Sequence, residues 1–166
     1  MTYQPLMDVL QQMHSLYGRL IELGESKKEQ LVQNRLTELT QTLTHESKVV
    51  KALQDAEIAR IQALRSFQKS VGLRDDPGMR LQEAVKLCTG YTEKQAMQKT
   101  LDEIERQVLK LKELNETNQM LVRHSLDIVN FSLDLLVGSP EEEMVYQKPN
   151  AGNSQTKRNA YLDTRA

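Results

Sequence analysis

The sequence predicts an all-α protein: an elongated antiparallel three-helix bundle or coiled coil with a short connecting helix and a disordered C-terminal tail. Aromatic residues make up only 4% of the chain, and Trp is absent. This composition, rich in Leu, Gln, Glu and Lys, suits long helices rather than strands. Residues 99–137 contain neither Gly nor Pro over about ten helical turns. We therefore expect one long helix in the last third of the chain, with two further helices before it.

The first helix is predicted over residues 5–32. Pro5 suits the first turn of a helix, where its missing N–H has no partner to lose. Apolar residues follow at alternating spacings of four and three, at Leu6, Leu10, Met13, Tyr17 and Leu20. Gly24 falls on the same stripe, which predicts a softened helix at that point. A tight turn then leads to Asn34, which we expect to cap the N-terminus of the second helix.

The second helix is predicted over residues 36–71. Its apolar stripe consists of Leu36, Leu39, Leu43, Val50, Leu53, Leu64, Phe67 and Val71. Gly72 is expected just past the end of this helix, where a left-handed conformation favours glycine. Residues 72–78 are the clearest chain breaker and contain turn-forming Asp, Pro and Gly. A short amphipathic helix is predicted next, over residues 79–88.

The third long helix is predicted to open with a capping box, in which Thr92 is the N-cap and Gln95 lies three residues later. Its first half carries an apolar stripe at 3-4-3 spacing, formed by Leu101, Ile104, Val108 and Leu111. The Gly-Ser-Pro sequence at 138–140 is expected to close the helix at Val137.

The second half of this helix alternates large apolar and small polar residues along one stripe. The apolar members are Leu114, Leu121, Ile128 and Leu135, and the polar members are Asn118, Ser125 and Ser132. A sealed core is seldom built this way, because a buried amide needs partners. The pattern predicts a groove that receives another helix. The alternative is an ordinary helix with a few satisfied polar core positions, since buried Asn also fixes coiled-coil register.

The composition changes again after the third helix. The C-terminal segment is polar and has no helical stripe, which predicts a flexible tail over residues 139–166 and a helical domain over residues 1–138. Acidic and basic residues balance within it, so it is not a polybasic arm. Tyr161 and Leu162 form a small apolar cluster, and we expect such a cluster to become ordered on binding a partner.

Charge and cysteine content exclude several classes of protein. The formal net charge of −1 gives no basic field for nucleic acid. The single cysteine, Cys88, has no internal disulfide partner. No run reaches about 18 apolar residues, and the N-terminus lacks a basic region before an apolar one, so neither membrane insertion nor a signal peptide is predicted. We expect a cytoplasmic protein.

The sequence offers little for catalysis, metal or cofactor binding. The three histidines lie far apart, and Val49 occupies the position where a zinc motif beginning at His45 would need its second histidine. His124 on the long helix invites comparison with histidine phosphotransfer domains, but the Lys and Gly of their His-x-x-Lys-Gly pattern are missing here. No enzyme, cofactor or metal is therefore expected.

Residues 114–122 resemble a family signature. The sequence Leu-Asn-Glu-Thr-Asn-Gln-Met-Leu-Val is similar to the Leu-Asn-x-x-Asn-x-x-Leu-Ile signature of FlgN-type flagellar export chaperones. A Lys-rich end of the first helix, a brief turn and a Leu-rich second helix also resemble that family. The resemblance covers roughly residues 1–137.

The resemblance implies a cytoplasmic chaperone of flagellar type III export, without enzymatic activity. Such chaperones bind amphipathic C-terminal helices of the hook–filament junction proteins FlgK and FlgL, prevent their premature assembly and deliver them to the export gate protein FlhA. The stripe itself suggests which residues would bind cargo: Leu114, Asn115, Asn118, Leu121, Ser125, Ile128 and Leu135. Tyr161 and Leu162 are our expected contacts with the export gate. The alternative function is a structural coiled-coil adaptor subunit without an export role.

Overall fold

A computed structural model of the chain describes residues 3–74 and 76–137. These residues form four helices: α1 (Gln4–Val32), α2 (Leu36–Ser70), α3 (Leu81–Leu87) and α4 (Tyr91–Val137). The described ranges contain no β-strand, so the predicted all-α class and the order of three long helices and one short one are confirmed. Two compact units divide the chain, Met1–Ile128 and Val129–Ala166. The described part of the second unit is residues 129–137, the last turns of α4. The predicted tail falls outside the described residues, and the predicted domain boundary stays a prediction.

Asn34 ends α1 instead of capping α2. Its φ of 54° is left-handed, and the N–H groups of Asn34 and Arg35 donate to the carbonyls of Leu31 (3.3 Å) and Gln30 (2.9 Å). This pair of bonds is a Schellman motif with Asn at the position that glycine usually takes. The residue before α2 is Arg35. The predicted N-cap was therefore wrong, because Asn suits both helix N-caps and left-handed C-terminal positions.

Gly72 ends α2 as predicted. Its φ is 77°, and the Leu73 N–H donates to the Gln68 carbonyl at 3.0 Å. The same Schellman geometry thus closes both long helices that precede a turn, once with Asn and once with Gly. A side chain at Gly72 would make this left-handed conformation less favourable.

The predicted capping box at the start of α4 was wrong. The helix begins at Tyr91, and the Lys94 N–H donates to the Gly90 carbonyl at 3.0 Å, so Thr92 already lies inside the first turn. A reciprocal backbone contact occurs instead before α3, where the Glu83 carboxylate accepts a hydrogen bond from the Arg80 N–H at 3.0 Å. Helix ends are the least certain part of a pattern-based prediction.

The long helices alternate in direction. The Lys27 ammonium of α1 meets the Glu46 carboxylate of α2 at 2.5 Å, and Tyr17 lies near Glu57 further along, so α1 and α2 are antiparallel. In contrast, α1 and the part of α4 up to Ile128 run parallel. His14 lies 3.6 Å from Glu103, and Gly24 lies beside Leu114. The bundle is up-down-up, with α1 in contact with both partners.

The hydrophobic core lies at the end of the bundle where α1 begins and α2 finishes. We call this the sealed end, and its buried residues are Leu6, Met7, Leu10, Leu64, Phe67, Ala84, Val85, Met97 and Leu101. The short helix α3 packs over this core through Ala84 and Val85. Gln68 is also buried there, and its Nε2 donates to the Asp76 carbonyl at 2.9 Å, which holds the α2–α3 connection against the core. Within the part of the chain that the structure describes, no helix is long and apolar enough to cross a membrane.

Candidate helix-binding groove

The opposite end of the bundle holds an open groove of about 410 Å³, which we call the groove. It lies where α1 finishes, α2 begins and α4 passes between residues 115 and 123. Its lining residues are Lys27 and Leu31 from α1, Leu39 and Leu43 from α2, and Asn115, Asn118, Gln119, Val122 and Arg123 from α4. Three helices therefore contribute to one concave surface.

The groove has an apolar floor and a polar rim. Leu31 and Leu39 are half-buried, whereas Leu43 and Val122 are 45% and 41% exposed. Amide side chains and two basic side chains surround them, and no lining residue is acidic. Covering exposed leucine and valine on a concave surface with an apolar partner lowers the free energy of the complex.

Gly24 allows α4 to approach α1 beneath the groove. A Cβ atom placed on Gly24 would lie 2.5 Å from Cδ2 of Leu114, closer than two carbon atoms can come. Leu114 is only 6% exposed and packs directly against the α1 backbone. The helix α1 continues through this point as one helix, as predicted, and the softening expected at Gly24 stays a prediction. The glycine is needed for close packing between helices.

Asn118 joins α1 and α4 one turn further along. Its Nδ2 donates to the Gly24 carbonyl oxygen at 3.0 Å, and the residue is only 6% exposed. Among the residues that the structure describes, none donates a hydrogen bond to its Oδ1. A buried amide with a single donated bond fixes the register of two helices, because any slip leaves both the donor and the carbonyl mismatched.

The structure brings together only part of the predicted cargo-binding set. Asn115 and Asn118 line the groove. Leu114 lies below it and is buried in the free protein. Leu121 is half-buried and Ser125 is exposed, and neither lines the groove.

The outer members of the predicted set lie further along α4. Ile128 is 66% exposed and does not line the groove. Leu135, in the second unit, is 69% exposed. Tyr161 and Leu162 lie outside the described residues.

The groove face of α4 differs from the predicted stripe. The stripe of Leu114, Leu121 and Ile128 repeats every seven residues, but a straight α-helix drifts about 20° per heptad relative to such a repeat. The stripe therefore winds around the helix. Two of the α4 residues that line the groove, Gln119 and Val122, lie two positions before and one position after the predicted Leu121.

Sequence reasoning missed the contribution of the hairpin. Leu39 and Leu43 belong to the predicted apolar stripe of α2, and Leu31 lies near the end of α1. All three lie close to the tight turn between the end of α1 and the start of α2, and α4 continues past this turn. Their position near the turn is the signal in the sequence for an open groove, because an apolar stripe that reaches a turn lacks covering neighbours on one side.

The described side chains give no sign of a catalytic centre. Among residues 3–74 and 76–137, no group of His, Cys, Asp and Glu is arranged to hold a metal ion. Burial raises the pKa of the Cys88 thiol, which keeps it protonated at neutral pH and weakens it as a nucleophile. The arrangement at the groove is suited to covering an apolar surface.

An all-helical bundle with one sealed end and an open apolar groove at the other has the architecture of a helical chaperone or adaptor. Comparison with known proteins identifies which one. The FlgN protein family matches residues 1–154, so the chain belongs to the FlgN family. FlgN proteins are flagellar export chaperones, and the family is one of chaperones of flagellar proteins rather than of enzymes.

One curated relative comes from Bacillus subtilis (strain 168) and is described as "Uncharacterized protein YvyG". It is 26% identical over 140 residues, which cover 82% of each chain. No solved structure matches the chain.

Proposed function

We propose that this protein binds amphipathic C-terminal helices of hook–filament junction proteins of the FlgK and FlgL kind in the cytoplasm. It prevents their premature assembly and delivers them to the cytoplasmic part of the export gate, FlhA. The observation that carries the proposal is the position of the groove. It lies at Asn115 and Asn118, the two asparagines of the signature shared with the family.

The floor of the groove suits a guest helix. A helix that lies in a groove presents apolar residues at i, i+3, i+4 and i+7. These would cover Leu43 and Val122, which are partly exposed in the free protein, together with the half-buried Leu31. Covering a leucine that is already half-buried contributes about 1 kcal/mol, so a few such contacts support reversible binding. Reversibility is needed if cargo is to be released for export.

The bond between Asn118 and Gly24 supports a groove that exists before cargo arrives. It joins α4 to α1 at the base of the groove, which reduces the ordering cost of binding. Asn115 is half-buried and Gln119 is exposed, so both amides can bond to polar side chains of the guest. Leu121, Ser125, Ile128 and Leu135 remain proposed contacts on the adjoining faces of α4, and exposed Met120 beside them adapts to different guests.

Co-purification tests the proposal. The full chain should retain a junction protein that carries its C-terminal helix and should lose one from which that helix is deleted. Leu43→Asp should abolish capture, because a carboxylate would then be buried against an apolar guest. The matched control is Ile58→Asp on the same helix, where an apolar residue that is 57% exposed lies outside the groove. Equal capture by both variants would reject the groove as the cargo site.

The tail deletion tests delivery separately. Removal of residues 160–166, which include Tyr161 and Leu162, should leave cargo capture unchanged and weaken binding to the cytoplasmic part of FlhA. Loss of cargo capture in this variant would instead assign the tail to the cargo site.

A permanent coiled-coil adaptor is the second candidate, and one observation favours it. The last turns of α4 expose apolar residues around most of the helix, namely Leu126, Ile128, Val129, Phe131, Leu133, Leu135, Leu136 and Val137. A constitutive partner copy would cover them. The oligomeric state of the purified protein separates the two functions. An adaptor would remain a large oligomer at every concentration, whereas a chaperone would give up any self-association when cargo binds.

A further inference from the structure

We infer that the groove selects guest helices by charge, and that Arg123 is the residue that does so. The preferred guest is an amphipathic helix that carries a carboxylate side chain next to its apolar stripe. This inference rests on the proposed function, because it concerns the chemistry of the cargo that the same groove receives.

The two cations of the groove are in different electrostatic states. The Lys27 ammonium lies 2.5 Å from the Glu46 carboxylate, and the two side chains are only 12% and 19% exposed. This pair is largely neutralised before a guest arrives. Arg123 lines the same groove, is exposed, and forms no ion pair with any described residue. Its charge is therefore available to a guest.

Because no carboxylate lines the groove, no lining side chain offsets the positive charge of Arg123. All other α4 residues of the groove are amides or valine, and the residues from α2 are leucines. A guest carboxylate would meet an apolar floor, neutral amides and one free guanidinium. A guest lysine at the same place would meet a like charge, which costs binding free energy.

Arg123 lies at one end of the groove. Asn115 and Arg123 are about eight residues apart, which is about 12 Å along the helix axis. The groove thus accommodates about two turns of a guest helix, with apolar contacts in the middle and the carboxylate at one end. Because a guanidinium presents a planar fork of donors, one carboxylate can accept two hydrogen bonds from it. This geometry sets the register of the guest along the groove.

The test is a charge exchange between the full-length protein and the C-terminal segment of the junction protein. Arg123→Gln should weaken binding about threefold and Arg123→Glu about tenfold, as expected for a charge at the rim of an interface. The control is Lys112→Glu, which makes the same change in net charge at an exposed position of α4 outside the groove. It should bind as the unmodified protein does. All variants should melt at the same temperature because these side chains are exposed.

The decisive arm replaces each acidic residue of the guest segment by Lys, one at a time. One of these replacements should weaken binding to the unmodified protein and restore binding to the Arg123→Glu variant. If Arg123→Glu binds as tightly as Lys112→Glu, or if no guest replacement restores its binding, the inference is wrong and the proposed function stands. If the unmodified protein binds no junction segment at all, the proposed function fails, and this inference fails with it.

Discussion

The two ends of the bundle each bury one side-chain amide, and they use it differently. Gln68 at the sealed end is 1% exposed and donates to the Asp76 carbonyl, which ties a connecting segment over the core. Asn118 at the groove is 6% exposed and donates to the Gly24 carbonyl, which ties two helices together beneath an open surface. A polar residue in an apolar stripe therefore does not by itself indicate a groove.

The difference between the ends comes from what covers the stripe. At the sealed end α3 packs over the ends of α1 and α2, and Leu6, Ala84 and Met97 lose all contact with solvent. No described element covers the groove in the same way, so Leu43 and Val122 stay exposed. The buried apolar cluster thus lies at one end, and an exposed apolar floor lies at the other.

The largest expected effect is from a charge placed in the core of the sealed end. Leu101→Asp should cost on the order of 4 kcal/mol, because it leaves a cavity and buries a carboxylate without a partner. The melting temperature should fall by about 10 °C or more. Leu121→Asp and Ile128→Asp, beyond the core, should change it far less. Similar losses in all three variants would mean that the second half of α4 is also core.

A pair of glycine substitutions tests the close packing beneath the groove. Gly24→Ala should destabilise the protein by about 1–2 kcal/mol, because a Cβ atom would clash with Leu114 at 2.5 Å. Gly18→Ala is the control in the same helix. Its Cβ atom would lie 3.4 Å from Nε2 of Gln107, an ordinary contact, so the better helix propensity of Ala should stabilise the protein by about 0.5–1 kcal/mol. Urea denaturation should show opposite signs; the same sign in both would contradict this packing.

The two asparagines of the groove should differ in their effect on stability. Asn118→Ala should lower the free energy of unfolding by about 1 kcal/mol, because it removes the buried bond to Gly24. Asn115→Ala, at the half-buried rim, should leave it almost unchanged and should weaken cargo binding instead. Chemical denaturation and cargo affinity, measured on both variants, separate the two roles. A large loss of stability from Asn115→Ala would place that residue in the core.

The smallest expected effect depends on pH and concerns the Glu57–Arg60 pair of α2, which lies between the two ends of the bundle. The hydrogen bond from Arg60 holds the pKa of the Glu57 carboxyl below its ordinary value of about 4.5. A lowered carboxyl pKa stabilises the folded state above the unfolded-state pKa, and this contribution is lost as the pH falls through the folded-state pKa. Glu57→Gln should therefore melt slightly below the unmodified protein at pH 7. The two melting temperatures should converge as the pH falls below the ordinary carboxyl pKa of about 4.5 and through the lowered folded-state pKa; a difference that grows on acidification would contradict the assignment.

The sequence predicted a helix boundary correctly where the residue at that boundary has a single strong conformational preference. Gly72 ended α2 as predicted, because the left-handed conformation past a helix favours glycine. Asn34 and Thr92 misled the prediction, because Asn and Thr occur both at caps and elsewhere near helix ends. The choice between these roles depends on how the neighbouring turn closes, which the composition of the segment does not specify.

The sequence by itself determined the helical class, the order of the helices and the membership of an export chaperone family. It also placed Asn115 and Asn118 at the candidate binding site. Only the tertiary structure decided that Gly24 is a point of contact, that Leu114 is buried and that Leu39, Leu43 and Arg123 line the groove. The physical reason is that periodicity fixes which residues share a face of a helix. Which face is covered, and by what, depends on contacts between residues far apart in the chain.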